Sequence, residues 1–258
     1  MRFALLALAL TACASASSGT TDSNGTVDDG GVVDSAPDAN TCATQPCSIL
    51  PQCGCASGAC DIDGTDLMGT ACRTIMSPGI ETTTCAGPKE CDHGYVCLGA
   101  TGQAACHKYC SQNSDCGSPR GQCVIDITSG GMPIAGIPPA CSSNCDPTST
   151  NPAECPATFK CGLFTATHNG TPVKISDCSK AGAGVQTTSC KTASGGDDAL
   201  CGKGYLCTTL DGGTNYNCRR ICQVTASNCG ARTCKTFTTP HTINGVEYGV
   251  CSNNTVTD

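Results

Sequence analysis

Apolar residues between Cys42 and Cys251 occur in short runs, and no segment repeats them with the 3.6-residue period of an amphipathic helix. Glycine (31 residues) and proline (14 residues) interrupt nearly every run. Alternation is clearest around Asn169-Gly170 and after Asn244-Gly245. Asn-Gly between β-prone runs is a strong hairpin signal, because both turn residues need a positive φ. The pattern predicts little helix and three β-hairpins, the remaining one turning at Ser129-Gly130-Gly131.

The hairpin around Asn169-Gly170 has a definite predicted register. A two-residue turn places Phe164 opposite Ile175 and Cys161 opposite Cys178. Opposed cysteines are within disulfide reach in a non-hydrogen-bonded pair, so Cys161–Cys178 is a candidate bridge. Around the last Asn-Gly turn the flanking cysteines are four residues out of register. No bridge is predicted across that hairpin.

The composition excludes a large aliphatic core. Leu, Ile, Val and Phe together number 37 of 258 residues, below the roughly 20% of ordinary globular proteins. Charged residues make up only 14%, too few for a disordered polyelectrolyte. The 27 cysteines instead reach the density of a disulfide scaffold. With a net charge of −7 and a pI of about 4.9, a nucleic acid partner is not expected.

The N-terminus has the features of an export signal. Arg2 precedes the short apolar run 3–10, which is too short to span a bilayer. The sequence Leu10-Thr11-Ala12-Cys13 resembles the lipobox of bacterial lipoproteins. That resemblance implies a signal peptide over 1–12, a lipid anchor on Cys13 and placement at the outer membrane or cell surface. Ordinary signal cleavage, giving a secreted protein, and a fragment of a cytosolic helix are the two alternatives.

Residues 13–41 read as a spacer after this signal. They are rich in Ser, Gly, Thr and Ala and contain five aspartates and no basic residue. Such a segment cannot bury enough apolar surface to offset its ordering entropy. We expect a disordered acidic tether, which fits a membrane partner reached through a lipid anchor.

The other 26 cysteines lie between Cys42 and Cys251, an even number that allows thirteen disulfides. Their spacings recur, with C-x3-C at three places and Cys91-x5-Cys97 matched by Cys201-x5-Cys207. The recurrence predicts small disulfide-rich repeats arranged as an elongated multi-module array. The expected divisions are an N-terminal module over 42–71, a first repeat over 72–177 with an extra half-unit at 141–177, and a second repeat over 178–258.

Three aromatic residues recur beside the cysteines: Tyr95, Phe159 and Tyr205. We expect them to pack on disulfides. The surrounding Cys-x2-Gly-Tyr-x-Cys pieces resemble the turn of EGF-like modules over about seven residues. Taken whole, the lipobox, the acidic tether and the cysteine repeats resemble cysteine-rich lipoproteins of myxobacteria. That resemblance implies location and architecture only.

Motifs of chemistry are scarce. The sequence has no C-x-x-C, no nucleophile elbow, no H-E-x-x-H and no phosphate loop, so neither an enzyme nor a cofactor is expected. Asp61, Asp63 and Asp66 lie near a glycine, as the carboxylates of calcium loops do, but without the EF-hand spacing. These aspartates are a weak candidate for a calcium site, and the alternative is an ordinary acidic turn.

These features predict a non-enzymatic, lipid-anchored surface protein whose rigid loops bind a protein partner or mediate adhesion. Disulfides hold loops rigid without a large core, which lowers the ordering cost of binding. The alternative is a secreted or anchored protease inhibitor of the cysteine-rich type. Its inhibitory loop would be the proline-rich interval Val124 to Ala140.

Overall fold

The architecture is a series of short antiparallel hairpins. A computed structural model describes residue 42 and residues 46–64, 69–99, 102–129, 131–210 and 214–253. These residues contain no α-helix, only four 3-10 turns: Pro88–Glu90, Asn113–Cys116, Pro152–Glu154 and Asp198–Leu200. The strands are β1 (Ala59–Ile62), β2 (Thr70–Arg73), β3 (Tyr95–Leu98), β4 (Ala105–Lys108), β5 (Cys123–Ile125), β6 (Thr128–Ser129), β7 (Met132–Pro133), β8 (Ala140–Cys141), β9 (Phe159–His168), β10 (Thr171–Lys180), β11 (Lys191–Thr192), β12 (Gly195–Gly196), β13 (Tyr205–Thr208), β14 (Asn217–Gln223), β15 (Thr233–Ile243) and β16 (Val246–Ser252).

The expected fold class is confirmed by these hairpins and by thirteen disulfides. Twelve bridges form six modules of four cysteines, in which the first cysteine bonds the third and the second bonds the fourth. Modules 1 to 6 span 47–72, 85–106, 110–141, 145–178, 190–218 and 222–251. Cys42–Cys53 is additional and lies beside module 1.

In every module the third and fourth cysteines are direct cross-strand partners in a hairpin. Cys161 and Cys178 follow this rule, and the register predicted around Asn169-Gly170 is confirmed. The predicted Cys161–Cys178 bridge is wrong, because Cys161 bonds Cys145 and Cys178 bonds Cys155. Opposed side chains leave the same face of a hairpin. Both sulfurs therefore point at the two cysteines that precede the hairpin.

The last hairpin, β15–β16, corrects a second expectation. Cys234 and Cys251 are cross-strand partners, although they are four residues out of register when counted from the Asn244-Gly245 turn. A bulge between Thr236 and His241 absorbs the four extra residues. Pro240 lies in that bulge, where its missing N–H costs no ladder hydrogen bond.

The bridges also move the predicted domain boundaries. Cys55–Cys72 crosses the boundary drawn at 71/72, and Cys155–Cys178 crosses the one drawn at 177/178. The observed duplication is of three modules, 1–3 followed by 4–6. Twelve residues separate modules 1 and 2 and eleven separate modules 4 and 5, whereas three residues form every other junction.

Equivalent contacts in the two halves support this duplication. The arms that enter modules 2 and 5 read Gly-Ile-Glu-Thr-Thr-Thr-Cys (79–85) and Gly-Val-Gln-Thr-Thr-Ser-Cys (184–190). A Cβ on Gly79 would lie 2.6 Å from the Glu90 carbonyl oxygen, and one on Gly184 would lie 2.7 Å from that of Leu200. Both arms therefore need glycine for the same close backbone approach.

Each half closes around one small apolar core. Ile49, Val96 and Ile127 of modules 1, 2 and 3 share a cluster with Tyr109 from the junction of modules 2 and 3. In the second half, Ile221 from the corresponding junction is buried with Ile243 and Tyr248, and Leu163 and Leu206 pack against them. The duplicated unit is therefore a triplet of modules around a junction residue.

The two halves contact each other, which an extended array of modules would not predict. Arg120 of module 3 donates from Nε to the Tyr248 hydroxyl of module 6 at 3.0 Å and pairs with Asp146 at 2.6 Å. Asn244, at the tip of β15–β16, donates to the Pro119 carbonyl at 2.6 Å. Module 6 thus packs back on module 3.

A buried cation joins the first two modules of each half. The Arg73 guanidinium pairs with Asp61 at 2.6 Å and donates to the backbone carbonyl of Tyr95 in module 2 at 2.9 Å. The Lys160 ammonium pairs with Asp198 at 2.8 Å and donates to the carbonyl of Tyr205 in module 5 at 2.7 Å. Tyr95 and Tyr205 occupy equivalent positions, two residues before the third cysteine of their modules.

His241 makes the packing of module 6 on module 4 sensitive to acid. Its ring is buried and lies 3.3 Å from the Ile175 carbonyl, and desolvation, with a contribution from Lys174, lowers its pKa from the usual value of 6.5. The unfolded state therefore binds more protons below pH 6.5, and stability falls as the pH is lowered through that value.

We expect His241→Gln to flatten this acid dependence, by at most about 1.4 kcal/mol per pH unit. The measurement is the free energy of unfolding of the wild type and the variant between about pH 7 and pH 5. His93→Gln is the matched control, because His93 is exposed and its ring lies against the carboxylate of the adjacent Asp92. Equal slopes for the wild type and His241→Gln would contradict the assignment.

Candidate binding surface

The long connection of module 3 comprises residues 126–139, which we call the display loop. Ser129 pairs with Met132 near its tip, so β6 and β7 form the antiparallel pair that the glycine pattern predicts. The Met132 side chain is 71% exposed. The Ile134 amide donates to the Ile127 carbonyl at 2.9 Å and closes the base of the loop.

The base of the display loop is anchored by apolar contacts. Ile127 is 7% exposed and packs with Ile49 of module 1 and Val96 of module 2, while Ile134 and Ile137 pack on the same cluster. Burying one such side chain contributes about 1.5–3 kcal/mol. The tip is therefore exposed while its base belongs to the core of the first half.

Module 4 supports the other flank. The Asp126 carboxylate accepts hydrogen bonds from His168 Nδ1 at 2.7 Å and from the backbone N–H of Asn169 at 3.0 Å. His168 Nε2 lies 3.0 Å from the Asn169 side-chain nitrogen, which assigns the Nδ1 proton to the bond with Asp126. The turn of β9–β10 thus clamps the beginning of the display loop.

A groove of about 340 Å³ runs between module 1 and the display loop. Ile49, Leu50, Ile137 and Pro138 supply its apolar wall. The lining hydroxyl of Thr70 donates to the backbone carbonyl of Cys47 at 2.7 Å, and that of Ser48 similarly satisfies a local carbonyl. Among the described residues no charged side chain lines the groove, so the chemistry of this lining suits an uncharged apolar group.

Catalytic groups do not converge within the part of the chain that the structure describes. Every cysteine in it is in a disulfide. The rings of His107 and His241 lie against backbone carbonyls, and those of His93 and His168 against carboxylates. Triplets of cysteine sulfurs lie within 4.8 Å of one another in several modules, but they are oxidised sulfurs of neighbouring bridges rather than thiolate ligands.

The calcium candidate does not hold for Asp61. Its carboxylate is buried, where it accepts the Tyr109 hydroxyl at 2.5 Å and pairs with Arg73 at 2.6 Å. Desolvation by burial raises the pKa of the Tyr109 hydroxyl far above its usual value, and the neighbouring Asp61 carboxylate adds to that shift. Asp61 is thus an internal partner of two side chains, while Asp63 lies half-buried after β1 and Asp66 lies outside the described residues.

The three recurrent aromatics lie against sulfur. Phe159 is 2% exposed and packs with Cys145, Cys155 and Cys161. Tyr95 and Tyr205 pack against the cysteine clusters of modules 2 and 5. All three complete the small cores of their own modules.

Sequence reasoning missed the clamp and the groove. Asp126 and His168 are 42 residues apart, and no spacing rule connects them. The run Ile125, Ile127, Ile134 and Ile137 was the available signal, because it is a local excess of isoleucine in an aliphatic-poor chain. It shows that the proline-rich interval has an anchored base.

Cys13, the predicted lipidation site, lies outside the described residues. In the described ranges, no helix has the length and hydropathy required to cross a bilayer. No family model, no curated protein and no solved structure matches the chain.

Proposed function

We propose that this is a non-enzymatic, lipid-anchored cell-surface protein that uses the display loop and the adjoining groove to bind a protein partner. The observation that carries the proposal is an exposed tip, Met132, on a base held from two sides by Ile127 and Asp126. Because the base of the loop is already held in place, binding incurs little further conformational entropy there. Methionine is enriched in protein–protein interfaces relative to the rest of the protein surface.

The remaining chemistry is consistent with export and with a protein rather than a nucleic acid partner. Thirteen disulfides persist only in an oxidising compartment. The described residues contain thirteen basic and thirteen acidic side chains, so the net negative charge of the chain comes from the other segments, chiefly the tether. A balanced surface of this kind lacks the positive field that attracts phosphates.

Replacement of the loop tip tests the proposal. We expect Met132→Glu to lower the binding of the fluorescently labelled protein to intact cells of the source organism by at least about tenfold, a loss of roughly 1.4 kcal/mol. Met76→Glu is the matched control, since Met76 is 74% exposed outside the loop. Equal binding by both variants and the wild type, or equal losses in both, would overturn the proposed role of the loop.

A protease inhibitor would use the same proline-rich interval, Val124 to Ala140. The anchored base of the display loop favours this alternative, because inhibitory loops are also held rigid. Next to the tip, however, Ser129 is paired with Met132 across the loop, whereas substrate-like binding presents an unpaired extended segment to the protease. Inhibition of a panel of serine proteases at nanomolar concentration, lost in Met132→Glu, would replace adhesion with inhibition as the function.

A further inference from the structure

One bridge differs from the others in its access to solvent. Among the described cysteines, Cys72 is the only one in the exposed class. It is the fourth cysteine of module 1. The fourth cysteines of modules 2, 3, 5 and 6 are at most 2% exposed, and Cys178 of module 4 is half-buried. Thiol–disulfide exchange requires approach of a thiolate to a sulfur, so the exposed position of Cys72 makes it the first candidate among the described bridged cysteines.

The partner of Cys72 lies among other sulfurs. The Sγ atoms of Cys47, Cys55 and Cys60 are all within 4.8 Å of one another. Cys47 and Cys60 are bonded to each other and Cys55 is bonded to Cys72. A thiolate released at Cys55 would therefore lie beside a second intact disulfide.

From this geometry we propose that Cys55–Cys72 is a thiol-exchange site that accepts low-molecular-weight monothiols. The incoming thiolate attacks Cys72 Sγ, forms a mixed disulfide there and expels Cys55 as a thiolate. The Cys55 thiolate then attacks the Cys47–Cys60 bond, forms a new bond to one of its sulfurs and releases the other as a thiolate. Each step exchanges one S–S bond for another, so no net oxidant or reductant is needed beyond the thiol itself.

The rest of module 1 can tolerate this exchange. One bond within the Cys47, Cys55 and Cys60 cluster is retained at each step, and Cys42–Cys53 is not involved. Arg73, adjacent to Cys72, remains fixed by Asp61 and by the carbonyls of module 2. The exchange thus marks the surface of module 1 with a small thiol while its junction to module 2 persists. The exchange does not depend on the proposed function, although Cys47 of its second step also lines the groove beside the display loop.

Glutathione is the probe. The native protein is incubated with it at about pH 8 and quenched in acid. Because Cys47 and Cys60 are buried, the protein is then unfolded in denaturant at mildly acidic pH before it is alkylated with N-ethylmaleimide and mapped by mass spectrometry after proteolysis. We expect the first glutathione adduct on Cys72, at least about tenfold faster than on any other cysteine. We expect the maleimide label on Cys47 or Cys60 as well as on Cys55.

A first adduct on another cysteine, or adducts forming at all bridges together, would overturn the proposed site. Maleimide confined to Cys55 would overturn the second exchange step. Cys155→Ser/Cys178→Ser removes the equivalent bridge of module 4 and should leave the rate at Cys72 unchanged. Cys55→Ser/Cys72→Ser should abolish the fast adduct, and the wild-type time course decides the question even if this variant misfolds.

Discussion

Complete reduction and alkylation of the thirteen disulfides is expected to abolish the native fold at 25 °C without denaturant. The buried clusters of single modules are too small to replace the bridges, and in module 3 the cluster consists of four cysteines alone. The bridges close loops with sequence separations of 11 to 25 residues. A closed loop of 15 residues stabilises by about 3 kcal/mol in the chain-entropy account, against a total stability of about 5–15 kcal/mol for an ordinary domain.

Near-UV circular dichroism of the tyrosines and amide dispersion in NMR spectra measure this loss. A dispersed spectrum after full alkylation would show that apolar packing, not sulfur, holds the fold. The effect should also differ between bridges. Cys110→Ser/Cys123→Ser should unfold module 3 locally at a cost of about 2–5 kcal/mol, whereas Cys42→Ser/Cys53→Ser, outside the module pattern, should cost less.

Hairpins could be predicted from the sequence because their turns are local. Asn169-Gly170 fixes the register of β9–β10 by itself, since both residues have positive φ, 50° and 76°. The bridge partners could not be derived in the same way. Cys161 and Cys178 are opposite each other, yet Cys161 is bonded to Cys145 and Cys178 to Cys155. These partners depend on the path of the chain before the hairpin, which the local pattern does not give.

The β15–β16 hairpin shows how a non-local requirement overrides a local count. Counting from Asn244-Gly245 separates Cys234 from Cys251, yet both must reach the module's sulfur cluster. The bulge between Thr236 and His241 restores their pairing. The candidate surface was harder to predict, because Asp126 and His168 belong to different modules that meet only when the two halves pack together.

Lys160→Ala is expected to destabilise the junction of modules 4 and 5 by about 3 kcal/mol. Its side chain is fully buried, and its removal takes one donor from the Tyr205 carbonyl and the cation from Asp198. Asp198 keeps the Cys207 backbone amide as a donor at 2.7 Å. Desolvation lowers the pKa of Lys160, and Asp198 opposes that shift. Hydrogen exchange of the Tyr205–Thr208 amides measures the loss as faster local opening.

The first half of the chain indicates how to restore the junction. Arg73 and Ala59 are cross-strand partners on β2 and β1, and Lys160 and Ser179 are the corresponding pair on β9 and β10. In each half a cation thus reaches the equivalent tyrosine carbonyl from the same cross-strand pair of the hairpin. In the first half the cation is on the second strand, and in the second half it is on the first strand. Since opposed side chains share a face, Ser179→Arg should reach the site that Lys160 vacates.

The double variant Lys160→Ala/Ser179→Arg should therefore recover most of the protection lost in Lys160→Ala, and Ser179→Arg alone should destabilise by placing two cations together. This sign reversal is a coupling that a double-mutant cycle isolates from nonspecific effects of either substitution. Thr167→Arg, on the exposed part of β9, is the control for adding a guanidinium. If Ser179→Arg is equally harmful with and without Lys160, the two halves do not use interchangeable strands for this cation.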